Sequence, residues 1–344
     1  MKFRYYVTRR LLLTVVVLWG VSIITFLLTH AVPSDPAALW AGSHATAEQI
    51  EQARQTLGLN RPLHIQYVDF LTGLFRGDLG MSIRTEQPVM RDLVAFFPAT
   101  VELVFASMFF AIGFGIPLGI ISAKYHNTAP DHASRVISMS GVSLPVFWLG
   151  MLLQLLLYGW LGVLPLEGRV ATEVVQANPL SEISGMLLFD SLVQLNVPVF
   201  LSAVEHIVLP AFTLSFASMA IITRMTRSSM LETMQEEYVD VHEGFGLSER
   251  TIVYKYALKN SMNSVLTVIG LSFGYLLGGS ILVESIFSWP GLGRYIVNSI
   301  YATDYPAVMG VTLLFATSYI LINLLVDLTY AYLNPKLRAS GGGS

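Results

Sequence analysis

Long apolar runs dominate the chain, separated by polar segments that carry most of its charge. Runs of about 20 or more predominantly apolar residues fall at 10–30, 99–123, 136–161, 203–223, 261–286 and 307–331. Twenty residues of α-helix rise about 30 Å, the thickness of the hydrocarbon core of a bilayer. Backbone N–H and C=O groups find no water there and must pair within the segment, so each run is expected to be a helix. Barrel strands would be about half as long and would alternate apolar with polar positions. The expected fold class is an all-α integral membrane protein with six transmembrane helices.

Composition agrees with this pattern. Hydrophobic residues make up 53% of the 344 and charged residues 12%, about half the usual charged share of a soluble domain; mean hydropathy is +0.60. Arg9 and Arg10 precede the first run as they would in a secretory signal. The stretch from Leu11 to His30 is longer than a signal core, and no small-x-small cleavage site follows, so it reads as an uncleaved span. The absence of cysteine excludes disulfides and thiolate metal sites.

Lysine and arginine orient the spans. Thirteen of the 20 basic residues fall on the side that holds both termini, including Lys2, Arg9, Lys124, Arg135, Arg224, Arg227, Lys255 and Lys336. Five of the other seven lie in one long loop, which the positive-inside rule weights lightly. Both termini are therefore expected to be cytoplasmic. The resulting division is a tail and first helix (1–30), a sizeable extracytoplasmic segment (31–98), a core of helices 2–6 (99–335) and a tail (336–344). The closing Gly341-Gly342-Gly343-Ser344 reads as a linker remnant. A second long outer loop, 162–202, is acidic and has the length of a functional or mobile connection. The polar connection 224–260 is the main cytoplasmic feature, with a composition suited to docking.

Candidate chemistry is sparse. No Gly-Lys pair occurs, so the chain lacks a phosphate-binding G-x-x-x-x-G-K-[ST] loop. No H-E-x-x-H occurs and the seven histidines are scattered, so no catalytic site, metal site or cofactor of the chain's own is expected. Ionisable residues in or beside spans are Glu102, Glu205, His206, Glu284 and Asp327. All sit near span ends, where interfacial water makes them cheap, and a proton relay would need carboxylates near the midplane. Gly270, Gly274 and Gly278 form a small-residue face in the fifth span that lets another helix approach closely, within the chain or at a subunit interface lining a pathway. Gly115 and Gly119 form a weaker version in the second, interrupted by Pro117. Trp289, Pro290 and Gly291 follow the fifth span and suit an interfacial turn.

Several segments together resemble the B-type permease subunit of dipeptide, oligopeptide and nickel ABC importers. They include Arg9-Arg10-Leu11-Leu12, Leu57-Gly58-Leu59-Asn60-Arg61-Pro62-Leu63 and Arg76-Gly77-Asp78-Leu79-Gly80-Met81-Ser82. Further matches are Pro98-Ala99-Thr100-Val101-Glu102-Leu103, Gly115-Ile116-Pro117-Leu118-Gly119 and Ser143-Leu144-Pro145-Val146-Phe147. The strongest is Val283-Glu284-Ser285-Ile286-Phe287-Ser288-Trp289-Pro290-Gly291-Leu292-Gly293. The segment Glu237 to Ser248 looks like the family's EAA loop, a short coupling helix lodged in a partner ATPase.

That resemblance implies a type I importer fold, with this chain forming half of a translocation pathway for di- or oligopeptides. It implies a second homologous permease, two ATPase subunits that bind ATP and Mg, and an extracytoplasmic substrate-binding protein, with no nucleic acid. Residues implied to couple to the ATPase are Glu237, Tyr238, Asp240, His242, Glu243, Gly244, Gly246 and Leu247. Asp240, His242, Glu243 and Gly244 depart from the family pattern, which implies an unusual charge complement on the ATPase. Trp289, Pro290 and Gly291, with segments 31–98 and 162–202, are implied to dock the binding protein. Nickel chelates, glutathione and oligosaccharides stay open as cargo, and an ion-coupled secondary transporter is the reading from another class.

Overall fold

The computed structural model describes residues 3–31, 36–42, 44–56 and 58–333; the 336–344 tail lies outside the described residues. The described residues are built of helices. They are α1 (Phe3–Ala31), α2 (Pro36–Ala41), α3 (Ala47–Thr56), α4 (Leu63–Phe75), α5 (Val89–Lys124), α6 (Ala129–Ser143), α7 (Val146–Leu153) and α8 (Thr172–Ala177). There follow α9 (Leu187–Val193), α10 (Val197–Met234), α11 (Glu237–Gly244), α12 (Glu249–Thr251), α13 (Leu258–Ile286), α14 (Leu292–Tyr301) and α15 (Tyr305–Leu333). Short π-helical stretches extend α7 (Gln154–Trp160) and join α12 to α13 (Ile252–Ala257).

Five helical segments are long and apolar enough to cross a bilayer: Thr8–Leu27, Val89–Lys124, Val197–Met234, Glu249–Ile286 and Tyr305–Val326. The third expected span is corrected by the structure. It is not one straight helix over 136–161 but α6 and the α7 segment meeting at 111°. Pro145 removes an N–H and its ring bars Leu144 from the helical region, so Leu144 takes φ −81°, ψ 130°. The bent pair completes six spans if counted as one. Pro98, Pro117 and Pro210, by contrast, sit inside continuous helices.

α5 and α10 pack along much of their length and form the centre of the bundle, and α13 closes on both. Glycine makes the approach possible. A Cβ on Gly119 would lie 2.8 Å from the carbonyl oxygen of Thr223, and one on Gly115 would lie 2.9 Å from Ile222. The pair that Pro117 interrupts therefore marks a close contact between α5 and α10 at the centre of the bundle. On α13, Gly270 meets Val326 and Gly274 meets Tyr319, both on α15, whereas Gly278 faces open space. Two of the three positions in that stripe thus serve packing within this chain.

α1 lies outside this centre against α15 and α4, with Ser22 hydrogen-bonded to Tyr67 (2.8 Å) and Phe26 against the rings of Tyr67 and Phe70. The bundle has two distinct ends. At one, Lys124 reaches Glu249 and α11 hangs beside the start of α13. At the other, α14, the start of α5 and the 162–196 connection come together.

Candidate functional sites at the two ends of the bundle

At the α11 end the segment expected to couple to the ATPase forms a helix, and its inward face is anchored. Val239 is buried. The Tyr238 hydroxyl accepts from Asn260 Nδ2 at 2.8 Å, and the His242 ring lies tilted against that of Tyr256, 4.2 Å between centroids. His242 Nδ1 contacts the carbonyl of Tyr238 at 2.5 Å. The helix stops at Gly246, whose φ of +75° lies in the left-handed region, where glycine avoids the strain a Cβ brings. The N–H groups of Phe245, Gly246 and Leu247 return to the carbonyls of Val241, Glu243 and His242.

The opposite face is bare. Val241 is 54% and Phe245 81% exposed, beside Leu247 and the exposed Glu237, Asp240, Glu243 and Gly244. The structure therefore divides the expected coupling residues into two sets. Tyr238 and His242 hold the helix in place, while the acidic residues and three apolar side chains present a surface. Leu247 was among the residues implied to couple, whereas Val241 and Phe245, the more exposed apolar side chains of that surface, were not.

At the other end, the Trp-Pro-Gly turn encloses a buried carboxylate. Glu284 is fully buried and no ion pair holds it among the described residues. Its Oε1 accepts from the Thr100 hydroxyl at 2.7 Å; its Oε2 accepts from the N–H of Gly293 at 2.6 Å and of Arg294 at 3.1 Å. Those N–H groups begin α14, so the carboxylate satisfies donors that a helix leaves open at its start, where the dipole favours negative charge. Leu292 N–H donates to the same Thr100 oxygen at 2.8 Å. The glycines have a steric reason: a Cβ on Gly291 would fall 2.6 Å from Thr100 Oγ1, and one on Gly293 would fall 3.0 Å from Glu284 Oε2. This overturns the expectation that Glu284 sits in interfacial water.

Trp289 is also buried, 1% exposed, with Nε1 donating to the Ala99 carbonyl at 2.9 Å. Its side chain supports the turn from inside rather than offering a surface. Above it, Arg169 lies 5.6 Å from the Trp289 ring and donates to Glu102 (2.5 Å) and to the Gly185 carbonyl (3.0 Å). Glu102 also accepts from Leu188 N–H at 2.6 Å, and Gly168 N–H donates to the Phe287 carbonyl at 3.1 Å. The 162–202 connection is thus tied to the turn at several points. Within it, Asp190 accepts from the N–H groups of Ile183, Ser184 and Gly185 and from the Ser184 hydroxyl. Burial opposes ionisation of Asp190, but those hydrogen bonds outweigh it and hold its carboxyl below the usual range.

The 80–92 segment is clamped to the same end. Asp304 accepts from the Ser82 hydroxyl and from Arg84 N–H (3.2 Å), while Asp92 accepts from the hydroxyls of Tyr295 (2.8 Å) and Thr85 (2.5 Å). Burial and the Asp92 carboxylate raise the Tyr295 hydroxyl well above its ordinary range, so it stays a donor.

Of the remaining ionisable residues, Glu205 is exposed and His206 bonds the Ser202 carbonyl on its own helix at 2.6 Å; the side chain of Asp327 lies outside the described residues. Among the described residues no group of three or more metal-ligating side chains gathers. Gly270-Leu271-Ser272-Phe273-Gly274 spells a G-x-S-x-G string. It lies mid-helix rather than at a strand-to-helix elbow, and Ser272 Oγ donates to the Val268 carbonyl at 2.8 Å.

Comparison with known proteins agrees with this architecture. Residues 115–339 match the family described as binding-protein-dependent transport system inner membrane component, and residues 2–104 match its N-terminal counterpart. The chain is 44% identical over 328 residues to the probable D,D-dipeptide transport system permease protein DdpB of Escherichia coli, covering 95% of this chain and 96% of that one. It is 41% identical to the dipeptide transport system permease protein DppB of Alkalihalophilus pseudofirmus, covering 97% and 99%. Identity to the glutathione transport system permease protein GsiC of Escherichia coli is 39%, covering 97% and 98%. A chain of the solved inward-facing MetNI methionine ABC transporter shares the fold, with TM-score 0.52 at 18% identity over 71% of this chain and 97% of that one. The anchored helix at one end, the turn closed on a buried carboxylate at the other and these matches along nearly the whole length agree: the chain belongs to the binding-protein-dependent transport system inner membrane component family.

Proposed function

We propose that this chain is one of two permease subunits of an ATP-driven importer and forms half of a pathway for di- or oligopeptides. The D,D-dipeptide, dipeptide and glutathione systems named for its relatives all carry small peptides or a peptide-like solute, which supports that cargo class. ATP is bound by partner subunits, because the chain has no phosphate loop of its own. The observation that carries the proposal is α11, a short helix fixed on its inner face by Tyr238, Val239 and His242 and bare on its outer face.

α11 is the coupling helix in this reading. Val241, Phe245 and Leu247 enter a cleft of the ATPase, and Glu237, Asp240 and Glu243 meet basic groups around its rim. Closure of the ATPases on ATP displaces α11, and its contacts with Tyr256 and Asn260 pass the displacement to α13 as a rigid-body shift. ATP can drive this only if the ATPase binds the two permease states with different affinity. Lys124, Arg135, Arg224, Arg227 and Lys255 gather at the α11 end, which supports a cytoplasmic placement for it and for both termini. The α14 end, with segment 31–98, the 162–202 connection and the Trp289-Pro290-Gly291 turn, then faces outward and docks the binding protein. Trp289 contributes by holding the shape of that surface.

The test is reconstitution of the assembled transporter with Phe245→Ala or Glu243→Lys in this chain. Peptide-dependent ATPase activity is expected to fall at least tenfold for Phe245→Ala, which loses its apolar insertion, and to fall for Glu243→Lys, with the melting temperature unchanged. Full peptide-stimulated activity in both variants would defeat the coupling assignment. Uptake by this chain alone, driven by a proton or sodium gradient, would defeat the importer reading itself.

A further inference from the structure

Between α6 and α10, near the α11 end, lies a cleft of about 370 Å³. Arg135, Arg224 and Arg227 line it together with Ser134, Ser138 and Ser143. One of the three cations is already neutralised: Arg227 donates from Nε and Nη2 to the two oxygens of Asp131 at 2.7 and 2.9 Å. Asp131 also accepts from the Ser122 hydroxyl (2.6 Å) and from Asn127 N–H (3.0 Å), so its acceptor capacity is filled. Arg135 and Arg224 make no hydrogen bond or ion pair among the described residues, and both are exposed. The cleft is therefore lined by two arginines without a carboxylate partner and by several serines.

Its rim is apolar. Met139 and Val142 line the cleft and are 69% and 56% exposed, and Val136, one turn away, is 63% exposed. Guanidinium groups recognise phosphate oxygens through paired N–H donors, and serine hydroxyls add further donors. Basic pockets between membrane helices on the side of the anionic leaflet are suited to lipid head groups. An apolar wall beside such a pocket gives an acyl chain somewhere to lie. A free inorganic anion would have no use for that wall.

We infer that the α6–α10 cleft binds the phosphate head group of an anionic phospholipid, with Arg135 and Arg224 as its ligands and an acyl chain against Met139 and Val142. The Asp131–Arg227 pair holds the two helices together and sets the width of the cleft. Lipid bound there would brace α6 near the bend that separates it from α7. The inference rests on the bilayer placement proposed above and not on the cargo, so its failure and the failure of the peptide assignment are separable.

The experiment uses the assembled transporter purified in detergent. It compares retention of phosphatidylglycerol and of phosphatidylcholine by native mass spectrometry, for the wild type, Arg135→Gln, Arg224→Gln and the double variant. Arg250→Gln, exposed at the same end but outside the cleft, is the charge control. Phosphatidylglycerol is expected to be retained over phosphatidylcholine. Retention should weaken about fivefold with each single substitution and about 25-fold with both, from the contribution of one basic residue near a charged membrane surface. Arg250→Gln should bind as the wild type does. The Asp131–Arg227 clamp is untouched, so the melting temperature in lipid-free detergent should not move. Equal retention by the double variant, or no preference over phosphatidylcholine, overturns the inference. So does a double variant that keeps its lipid yet loses transport of free-acid peptides while sparing C-terminally amidated ones, because the cleft would then belong to the cargo.

Discussion

Removing the Glu284 carboxylate should disable the α14 end of the bundle while leaving the spans intact. In Glu284→Ala the N–H groups of Gly293 and Arg294 and the hydroxyl of Thr100 lose their acceptor together. A buried donor left unsatisfied costs about 1–3 kcal/mol, and the site is closed to bulk water. Relief from burying a carboxylate without a cation offsets part of that cost, which leaves a net loss of about 2–4 kcal/mol. Glu284→Gln keeps the shape and one acceptor oxygen but turns an amide NH₂ toward one set of donors, so a loss of about 1–2 kcal/mol is expected. The assay is thermal unfolding of the assembled complex in detergent, with binding-protein-stimulated ATPase activity alongside. Melting temperature should fall in the order wild type, Gln, Ala. Stimulated activity should fall more than basal activity, because the turn that Glu284 organises lies beside the proposed docking surface. Wild-type melting and stimulation in the alanine variant would refute the role assigned to this carboxylate, and a glutamine variant less stable than alanine would refute the hydrogen-bond accounting.

Three further outcomes follow from particular contacts. Gly278→Ala should be tolerated, since open space lies beyond it, whereas Gly274→Ala drives a methyl into the Tyr319 ring and should lower the melting temperature by several degrees; equal effects would show that α13 and α15 do not meet as described. Gly246→Val imposes a β-branched side chain at φ +75°, a cost of roughly 1–2 kcal/mol, so transport should fall with the spans intact; normal uptake would show that α11 does not need its left-handed stop. The carboxyl of Asp190 is held below its unfolded range, so its stabilisation of the 162–202 connection is complete above the unfolded pKa and is lost as pH falls through the folded value. Hydrogen exchange across 183–190 should therefore be slowest near neutrality and lose protection below about pH 4, after correction for intrinsic rates; protection that rises on acidification would reverse the sign and discard the assignment.

The approximate positions of five of the six expected spans were legible from the chain, because bilayer thickness and backbone pairing act on each run separately. Side-chain roles were legible only where they depended on local shape. Gly246 permits a turn that a residue with a Cβ resists, and Pro145 breaks a helix through its immediate neighbour. Even there the 111° bend of the third span was not legible, since Pro98, Pro117 and Pro210 occupy continuous helices and local chemistry alone does not separate the two cases.

The remaining roles depended on partners distant in the chain. Thr100 and Glu284 are 184 positions apart, Asp131 and Arg227 are 96 apart, and Glu102 and Arg169 are 67 apart. Each carboxylate looks the same in sequence whether it meets water at a span end or a ring of buried donors. The glycine stripe on α13 likewise predicts a close helix contact without naming α15 as the helix. The sequence thus establishes that a polypeptide of this pattern crosses the membrane several times. Which acids are buried, which glycines are covered and which face of α11 stays bare are decided by tertiary packing, because burial and hydrogen bonding belong to pairs of segments rather than to either segment alone.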